Sequence, residues 1–309
     1  MLTIRNLKSN MKKEIGFVGL GRMGLNMATH LVEEGYRVVG NDPSEEAQAA
    51  ARQAGIEVVV SYADLVEALP AERLVWMMVP SKFVDSVLDE LAPLLSAGDT
   101  IVDGGNSFYQ RSLCRHQSLK EKELNFLDCG TSGGVTGARH GASLMVGGDQ
   151  AVFDAHEQVF QVLAAKDGFA RVGNEGAGHF VKMVHNGIEY GMMGALAEGF
   201  NVLNEHKDQY GIDLQKVFKP YEHESIISSK LVTWLREAYE EEQIERIKGA
   251  VPVGETEEEM EHITTLGDTK VLCAALEQRK ESRTCETYVG KLIAAMRNQF
   301  GGHEVIEKE

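Results

Sequence analysis

The sequence is poor in cysteine, in positive charge and in long apolar runs. Its 309 residues include four cysteines, and none of them has the Cys-x-x-Cys spacing of a metal or redox site. No run approaches the ~18 apolar residues that a membrane span requires. Lysine and arginine number 31 against 47 acidic residues, and the resulting formal charge of −16 argues against nucleic acid as a partner. We therefore expect no membrane and no nucleic-acid partner.

The remaining composition is that of a globular chain, with 43% hydrophobic and 25% charged residues. The length predicts about two domains. The first ten residues lack the apolar stretch of a signal peptide, and scattered cysteines are typical of reduced thiols, so a cytoplasmic protein is expected. The acidic balance also means that an anionic substrate has to be held by a locally positive pocket.

A glycine-rich turn follows the first predicted strand. The segment 15–18 is apolar, and Gly19, Gly21 and Gly24 follow with the spacing Gly-x-Gly-x-x-Gly at the start of a predicted helix. Gly19 permits the turn, Gly21 lets a pyrophosphate approach the backbone, and Gly24 lets the helix pack closely. This context predicts a dinucleotide site. The residues between the glycines, which we include in the site, are Leu20, Arg22 and Met23.

A carboxylate ends the second predicted strand. Asp42 follows Asn41 there, and both are candidate cofactor-binding residues. The Asp42 carboxylate can accept hydrogen bonds from both ribose hydroxyls and would repel a 2′-phosphate, so the expected cofactor is NAD rather than NADP. The alternative role of Asp42 is to cap a helix that begins near Ser44.

Strands and helices alternate through the rest of the first half. This alternation predicts an α/β fold with a doubly wound, mainly parallel, Rossmann-like sheet. Ligands of such sheets bind beyond the carboxyl ends of the strands. The residues that the sequence places at such ends are Val79, Pro80, Asn106, Ser132, Gly133 and Gly134. Arg139 and His140 are expected in the loop that follows.

The second half reads as helices throughout, the first of them running from Gly176 to about His206. At about 100° per residue, one face of this helix carries five polar side chains of different chemistry. They are Lys182, His185, Asn186, Glu189 and Tyr190. The other positions are mostly apolar, and unpaired polar groups are costly to bury, so this polar stripe is expected to face a cavity or a partner.

The chain is therefore predicted to contain a dinucleotide-binding Rossmann domain, 1–175, and an all-α substrate and oligomerisation domain, 176–309. In the second domain, the acidic run 255–261 is expected to be a solvated surface. Arg279, taken alone, would be a surface residue. Arg297 and His303 are expected in a terminal tail after the last helix. No metal-ligand spacing is evident, and no metal is expected.

With these residues identified, the chain resembles the decarboxylating 6-phosphogluconate dehydrogenases, in a short form with one helical domain. The resemblance runs from about Lys12 to His303. It is carried by Asp103-Gly-Gly-Asn106-Ser107, the Ser132-Gly-Gly loop, the segment from His179 to Tyr190, and Arg297-Asn-Gln-Phe-Gly-Gly-His303.

Two departures from this family affect what is expected. NADP-dependent members usually carry an arginine where this chain has Asp42. Many members have a Gly-x-Gly-[Lys/Arg]-Trp-Thr segment whose basic residue meets the substrate phosphate. The matching segment here, 254–259, is acidic and lacks the tryptophan.

The resemblance implies that NAD and 6-phosphogluconate, a small anionic sugar acid, give ribulose 5-phosphate, carbon dioxide and NADH without a metal. It implies that Lys182 is the base, that Asn186 helps to polarise the carbonyl, and that Glu189 protonates C1 of the enediol. The implied carboxylate and hydroxyl ligands are Asn106, Ser132, Gly133, Gly134 and His185. The implied phosphate ligands are Tyr190 and Arg279 with Arg297 and His303 of a neighbouring subunit. A homo-oligomer, a dimer or tetramer with its active site completed by the neighbouring subunit, is therefore expected.

Two other functions remain open at this point. An NAD-dependent 3-hydroxyacid dehydrogenase of the 3-hydroxyisobutyrate type, without decarboxylation, is favoured if the acidic segment 254–259 means that no phosphate is bound. In a non-catalytic NAD-binding regulatory protein, the polar stripe would be a partner surface. Release of carbon dioxide distinguishes the first alternative, and NAD binding without turnover on any sugar acid would indicate the second.

Overall fold

The computed structural model of the protein describes residues 13–254 and 256–308. The chain separates into two compact units, Met1–Lys182 and Met183–Glu309. The domain boundary predicted at 175/176 stays a prediction. The first ten residues, where no signal peptide is expected, and Glu255, where the acidic run starts, lie outside the described residues.

The first unit is organised around one eight-stranded sheet with the order β3-β2-β1-β4-β5-β6-β7-β8. Its strands are β1 (Glu14–Val18), β2 (Arg37–Asn41), β3 (Glu57–Val58), β4 (Leu74–Met77), β5 (Thr100–Asp103), β6 (Asn125–Ser132), β7 (Ala142–Gly147) and β8 (Ala164–Gly173). All neighbours are parallel except β6 and β7, which pair antiparallel. The predicted mainly parallel α/β fold is therefore confirmed.

Helices connect the strands on both faces of the sheet. They are α1 (Arg22–Glu33), α2 (Glu45–Gln53), α3 (Tyr62–Ala68), α4 (Val84–Leu91), α5 (Tyr109–Lys120), α6 (Gly134–His140) and α7 (Gln150–Leu163). Alternate side chains of a strand point to opposite faces. Phe17 accordingly packs in a core with residues of α1 and α7, whereas Val18 belongs to a second core with residues of α3 and α4.

Three elements of this unit were not predicted. The two-residue β3 is too short to show a pattern, and β8 lacks both the alternation and the apolar run on which strand prediction depends. Arg139 and His140 end helix α6, so the prediction of a loop there is wrong. Arg139 forms an ion pair with Glu33 of α1, which ties α6 to that helix.

The second unit is helical, as predicted. Helix α8 (Ala177–Tyr210) enters it from the first unit. The others are α9 (Leu214–Glu222), α10 (Lys230–Glu240), α11 (Gln243–Arg246), α12 (Thr256–Ile263), α13 (Lys270–Glu281) and α14 (Tyr288–Gly301). The core includes Met193 and Phe200 of α8 with Phe218, Leu235 and Leu292. Within the described part of this unit, the only β pairing is a bridge between Ile247 and Glu307.

None of the helices in the described ranges combines the length and the apolar character that crossing a membrane requires.

Candidate active site

The glycine turn between β1 and α1 has the geometry that a dinucleotide phosphate requires. Gly19 has a φ of +91°, and a Cβ there would lie 2.4 Å from the Met78 carbonyl oxygen. A Cβ on Gly24 would lie 2.0 Å from the Gly19 carbonyl oxygen, whereas one on Gly21 would meet nothing within 4 Å. The first and third glycines are thus required for the backbone to pack, because a side chain at either position would clash with it. The space beside Gly21, at the N-terminus of α1, fits a pyrophosphate.

Asp42 lies beside this turn and is hydrogen-bonded to it. Its Oδ2 accepts a hydrogen bond from the Leu20 backbone N–H at 2.7 Å, and its Oδ1 accepts one from the Ser44 N–H at 2.8 Å. The N-cap of α2 is Ser44, whose hydroxyl accepts from the Ala47 N–H. Ser44, rather than Asp42, is therefore the N-cap of α2. The Asp42 carboxylate lies next to the glycine turn.

The other predicted cofactor residues follow the carboxyl ends of neighbouring parallel strands. A Cβ on Gly19 would approach Val79 Cγ1 at 2.9 Å, and one on Gly105 would approach the Val79 carbonyl oxygen at the same distance. Thr131 Oγ1, near the end of β6, donates to the Gly104 carbonyl oxygen at 3.0 Å. These contacts bring the segments of Gly19, Val79, Asn106 and Ser132 to one edge of the sheet.

The loop that carries Asn106 is held by a buried ion pair. Asp103 is fully buried, and its Oδ2 accepts hydrogen bonds from Ser107 Oγ at 2.7 Å and from Arg115 Nη1 at 3.2 Å. Arg115 also donates from Nε to Asp85 at 2.6 Å, and this contact holds the pKa of Asp85 below its ordinary value. Sequence reasoning identified Asn106 but missed this support.

A second buried carboxylate caps the helix that carries the polar stripe. Asp128 of β6 accepts hydrogen bonds from the backbone N–H groups of Gly176 at 2.7 Å and His179 at 2.8 Å. Buried carboxylates at a helix N-terminus satisfy its free N–H groups and interact favourably with its dipole. A Cβ on Gly130 would lie 2.4 Å from Lys182 Cβ, so β6 and α8 approach closely there. Strand β6 thus positions Lys182 and, at its own end, Ser132.

The remainder of the polar stripe lies in the second unit. Asn186 and Tyr190 are buried, and Asn186 Nδ2 donates to Glu259 Oε2 at 2.9 Å. His185 and Glu189 are more exposed and form an ion pair at 3.7 Å between Nδ1 and Oε2 when the imidazole is protonated. Asn186 and Tyr190 contact residues of α12 in the same unit. That the stripe faces a cavity or a partner stays a prediction.

An arginine cluster lies next to Tyr190. The Arg279 guanidinium sits 4.7 Å from the centre of the Tyr190 ring and donates to Thr256 Oγ1, which in turn donates to the Tyr190 hydroxyl. Arg279 and Arg297 both donate to the Pro252 carbonyl oxygen, at 3.2 and 2.9 Å. Both side chains are buried, and within the described residues their Nε atoms have no hydrogen-bond partner.

One carboxylate partly balances this cluster. Glu257 accepts two hydrogen bonds from Arg283, at 2.8 and 2.9 Å, and lies 3.4 Å from Arg279 Nε. Arg283 holds the pKa of Glu257 below its ordinary value, with Arg279 contributing. Burial, reinforced by the positive charge of Arg297, lowers the pKa of Arg279. Three guanidinium groups around one carboxylate leave the cluster positively charged.

Three expectations for this unit are wrong. Arg279 is fully buried rather than a surface residue. Arg297 lies inside α14 and is buried against its own chain, because the helix extends to Gly301. The acidic run is not a solvated surface throughout, because Glu257 and Glu259 face inward to the arginines and Asn186. His303 does follow the last helix, and its ring packs at 5.4 Å from that of Phe300.

The residues of these contacts that escaped sequence reasoning include Asp128, Thr256, Glu257, Glu259 and Arg283. Asp128 could have been found as an acid in an otherwise apolar strand. Nothing in the acidic run distinguishes its inward from its outward carboxylates. The described residues contain no group of three or more histidine, cysteine, aspartate or glutamate side chains arranged to hold a metal ion.

Comparison with known proteins agrees with this geometry. Residues 14–176 match the model for the NAD-binding domain of 6-phosphogluconate dehydrogenase, in agreement with NAD as the expected cofactor. Residues 178–246 match the model for the C-terminal domain of 6-phosphogluconate dehydrogenase.

Two relatives match over nearly their whole length. A putative 6-phosphogluconate dehydrogenase of Bacillus subtilis is 40% identical, over 96% of this chain and 100% of the relative. An NAD(+)-dependent, decarboxylating 6-phosphogluconate dehydrogenase of Haloferax volcanii is 39% identical, over 96% of this chain and 99% of the relative.

A solved structure shows the same fold. The 6-phosphogluconate dehydrogenase of Plasmodium falciparum, described in apo form and in complexes with its cofactor NADP+ and its substrate 6-phosphogluconate, superposes with a TM-score of 0.77 at 28% identity. The match covers 88% of this chain and 62% of that one. Together with the two full-length relatives and the domain matches, this similarity shows that the chain belongs to the 6-phosphogluconate dehydrogenase family.

Proposed function

We propose that this protein catalyses the NAD-dependent oxidative decarboxylation of 6-phosphogluconate to ribulose 5-phosphate and carbon dioxide. The observation that carries the proposal is the buried pair Arg279 and Arg297. Burying two like charges is costly unless an anion completes the site. Guanidinium groups bind phosphate through paired hydrogen bonds. Among the described residues, Arg297 Nε makes no hydrogen bond, and Arg279 Nε lies 3.4 Å from Glu257 Oε2 without a hydrogen bond to it.

The arginine cluster also explains how phosphate can be held despite the acidic segment 254–259. A Cβ on Gly254 would lie 2.9 Å from Arg297 Nη2 and 3.2 Å from Arg279 Nη2. Two guanidinium groups therefore stand directly at the position of the segment that supplies a basic residue in many family members. We infer that Arg279 and Arg297, with Tyr190, bind the substrate phosphate.

The first step of the proposed mechanism is removal of a proton from the C3 hydroxyl. Lys182, placed by β6 close to the Ser132-Gly133-Gly134 loop, acts as the general base. The Gly19–Gly24 turn would hold NAD, which would supply the acceptor for the hydride of C3. Asn106, Ser132, Gly133, Gly134 and His185 hold the carboxylate and hydroxyls of the substrate.

The second step is loss of carbon dioxide from the resulting β-keto acid. The electrons of the broken C1–C2 bond move into the C3 carbonyl, whose oxygen receives hydrogen bonds from protonated Lys182 and from Asn186. Glu189 then donates a proton to the carbon that was C2 of the substrate and is C1 of the enediolate, while the C3 oxygen reforms a carbonyl, which gives the ketose product. Lys182 ends these steps protonated and Glu189 ends them ionised, so one proton has to pass from Lys182 to Glu189 before the next turnover.

The proposed activity is tested by following NADH and carbon dioxide together, with NAD and with NADP. We expect equal amounts of both products from 6-phosphogluconate, and a preference for NAD because Asp42 stands beside the glycine turn. NADH without carbon dioxide would instead support the 3-hydroxyisobutyrate-type alternative. Comparable kcat/KM values with NADP would contradict the NAD assignment, and Asp42→Ala should narrow the gap between the cofactors.

We further propose that the protein is a cytoplasmic homo-oligomer. Its four cysteines are free, and Cys114 and Cys285 are exposed, as in a reducing compartment. In the second unit, Ile188, Met192 and Val271 are exposed by 52, 43 and 69%, which favours a second copy as partner. Since Arg297 is placed by its own chain, His303 is the residue through which a neighbouring subunit would complete the site. Light scattering at assay concentration tests the assembly, and a fully active monomer would exclude it.

A further inference from the structure

Glu259 is a buried carboxylate beside the polar stripe of α8. It lies in helix α12 and is only 5% exposed, although the residues around it in the sequence are acidic. Its neighbour Glu258 is exposed on the same helix. Burying a carboxylate is costly unless it is hydrogen-bonded or paired. Its position therefore requires a specific polar contact, and the partner can be identified.

That partner is Asn186, which is itself 4% exposed. Asn186 Nδ2 donates to Glu259 Oε2 at 2.9 Å. Because the amide presents Nδ2 to Glu259, its Oδ1 has to face elsewhere. Asn186 Oδ1 accordingly lies 3.5 Å from His185 Nδ1. The carboxylate thus fixes which way the amide faces.

We propose that Glu259 is a positioning residue that fixes the orientation of the Asn186 amide for carbonyl polarisation. The Nδ2 group carries a second N–H, and a hydrogen bond from the first one to a carboxylate polarises the group. With the orientation fixed, Asn186 approaches the oxygen that gains negative charge with its Nδ2 side rather than with Oδ1. The inference rests on the proposed function, in which Asn186 acts on the C3 oxygen.

The test compares Glu259→Gln with Glu258→Gln. A glutamine at 259 has the same shape, but its own amide can either accept from or donate to Asn186, so the orientation is no longer fixed. We expect kcat of Glu259→Gln to fall by about tenfold, the scale of a lost hydrogen bond to a charged group. KM for NAD should be unchanged, and Glu258→Gln should behave as wild type. Wild-type kcat in Glu259→Gln would overturn the proposal.

A double-mutant cycle separates positioning from a general structural effect. If Glu259 acts through Asn186, then Glu259→Gln should cause no further loss of kcat in an Asn186→Ala protein. Losses that multiply would show that Glu259 acts independently, and would overturn the proposal.

A measurement that needs no turnover keeps this inference distinct from the proposed function. The side-chain amide resonances of Asn186 can be assigned by their disappearance in Asn186→Ala. One N–H should be shifted downfield by the carboxylate in wild type and in Glu258→Gln, and this shift should be absent in Glu259→Gln. If the wild type shows this pattern but has no activity on 6-phosphogluconate, the proposed substrate is wrong and the role of Glu259 in orienting Asn186 is retained. If the wild type is active but the resonance is not shifted, the proposed function is retained and the role of Glu259 is wrong.

Discussion

The nucleotide-binding edge of the first unit and the arginine cluster of the second unit are built in different ways. The edge is made of backbone: glycines where the chain approaches itself, and a carboxylate bonded to a backbone N–H. The cluster is made of long side chains on or directly after the successive helices α12, α13 and α14, and one carboxylate partly balances their charge. A site made of backbone leaves a local motif, whereas a site made of side chains across helices leaves none. Substitutions in the two sites should therefore have different effects on binding, catalysis and stability.

The largest expected effect separates chemistry from cofactor binding. Lys182→Met removes the proposed base and leaves the glycine turn intact, so turnover should fall by roughly 10²–10⁴-fold while the dissociation constant for NAD stays at the wild-type value. Kinetics and NAD titration measure the two quantities. Lys207→Met, at the other end of α8, is the matched control and should retain full activity. A Lys182→Met protein with more than a small fraction of wild-type kcat would refute the assignment.

The next effect concerns the arginine cluster alone. Arg279→Lys keeps the positive charge but loses the planar fork, so KM for 6-phosphogluconate should rise by roughly 10- to 100-fold. KM for NAD should not change, because the backbone-built edge is untouched. Arg246→Lys, a more peripheral arginine of the same unit, serves as control. Equal increases in both KM values would mean that the substitution disturbs the protein generally.

A smaller effect is expected within the glycine turn, where two glycines should respond differently. Gly24→Ala brings a Cβ against the Gly19 carbonyl oxygen and should destabilise the fold by about 1–3 kcal/mol. Gly21→Ala adds a Cβ in open space, so the melting temperature should stay constant while KM for NAD rises. Thermal unfolding and steady-state kinetics of both variants provide the measurement. Unchanged NAD affinity in Gly21→Ala would contradict the phosphate position.

The smallest effect is the pH dependence that Glu257 gives to the arginine cluster. Because Arg283, with help from Arg279, lowers the pKa of Glu257, this carboxylate stabilises the folded protein above its ordinary pKa of about 4.3. That stabilisation is lost as the pH falls through the lowered folded-state value. The drop in melting temperature between neutral pH and about pH 3 should therefore be smaller in Glu257→Gln than in wild type. The same acid sensitivity in both proteins would argue against a stabilising ion pair between Glu257 and Arg283.

The sequence predicted the sheet, the helical second half and the glycine turn because each has a local pattern of spacing or alternation. It could not predict which acids of the run 255–261 face inward, because Glu257 and Glu259 differ from Glu258 only in what helix packing places beside them. Arg297 was expected in a tail because a helix end cannot be located from Gly301-Gly302 to better than a turn. Asp128 escaped because its partners, Gly176 and His179, are 48 and 51 residues away.

Helix α8 also determines where the chain can be divided into separate domains. It begins at Ala177 and ends at Tyr210, while the two compact units divide between Lys182 and Met183. The usual exposed, protease-sensitive linker is thus replaced by hydrogen-bonded helical backbone. A cut at that division would remove the capped first turn, held by Asp128, from the rest of the helix. A chimera of two relatives is therefore better joined before Gly176, which keeps α8 in one piece. The strand and loop that cap the helix then come from the other relative and have to be chosen to match it.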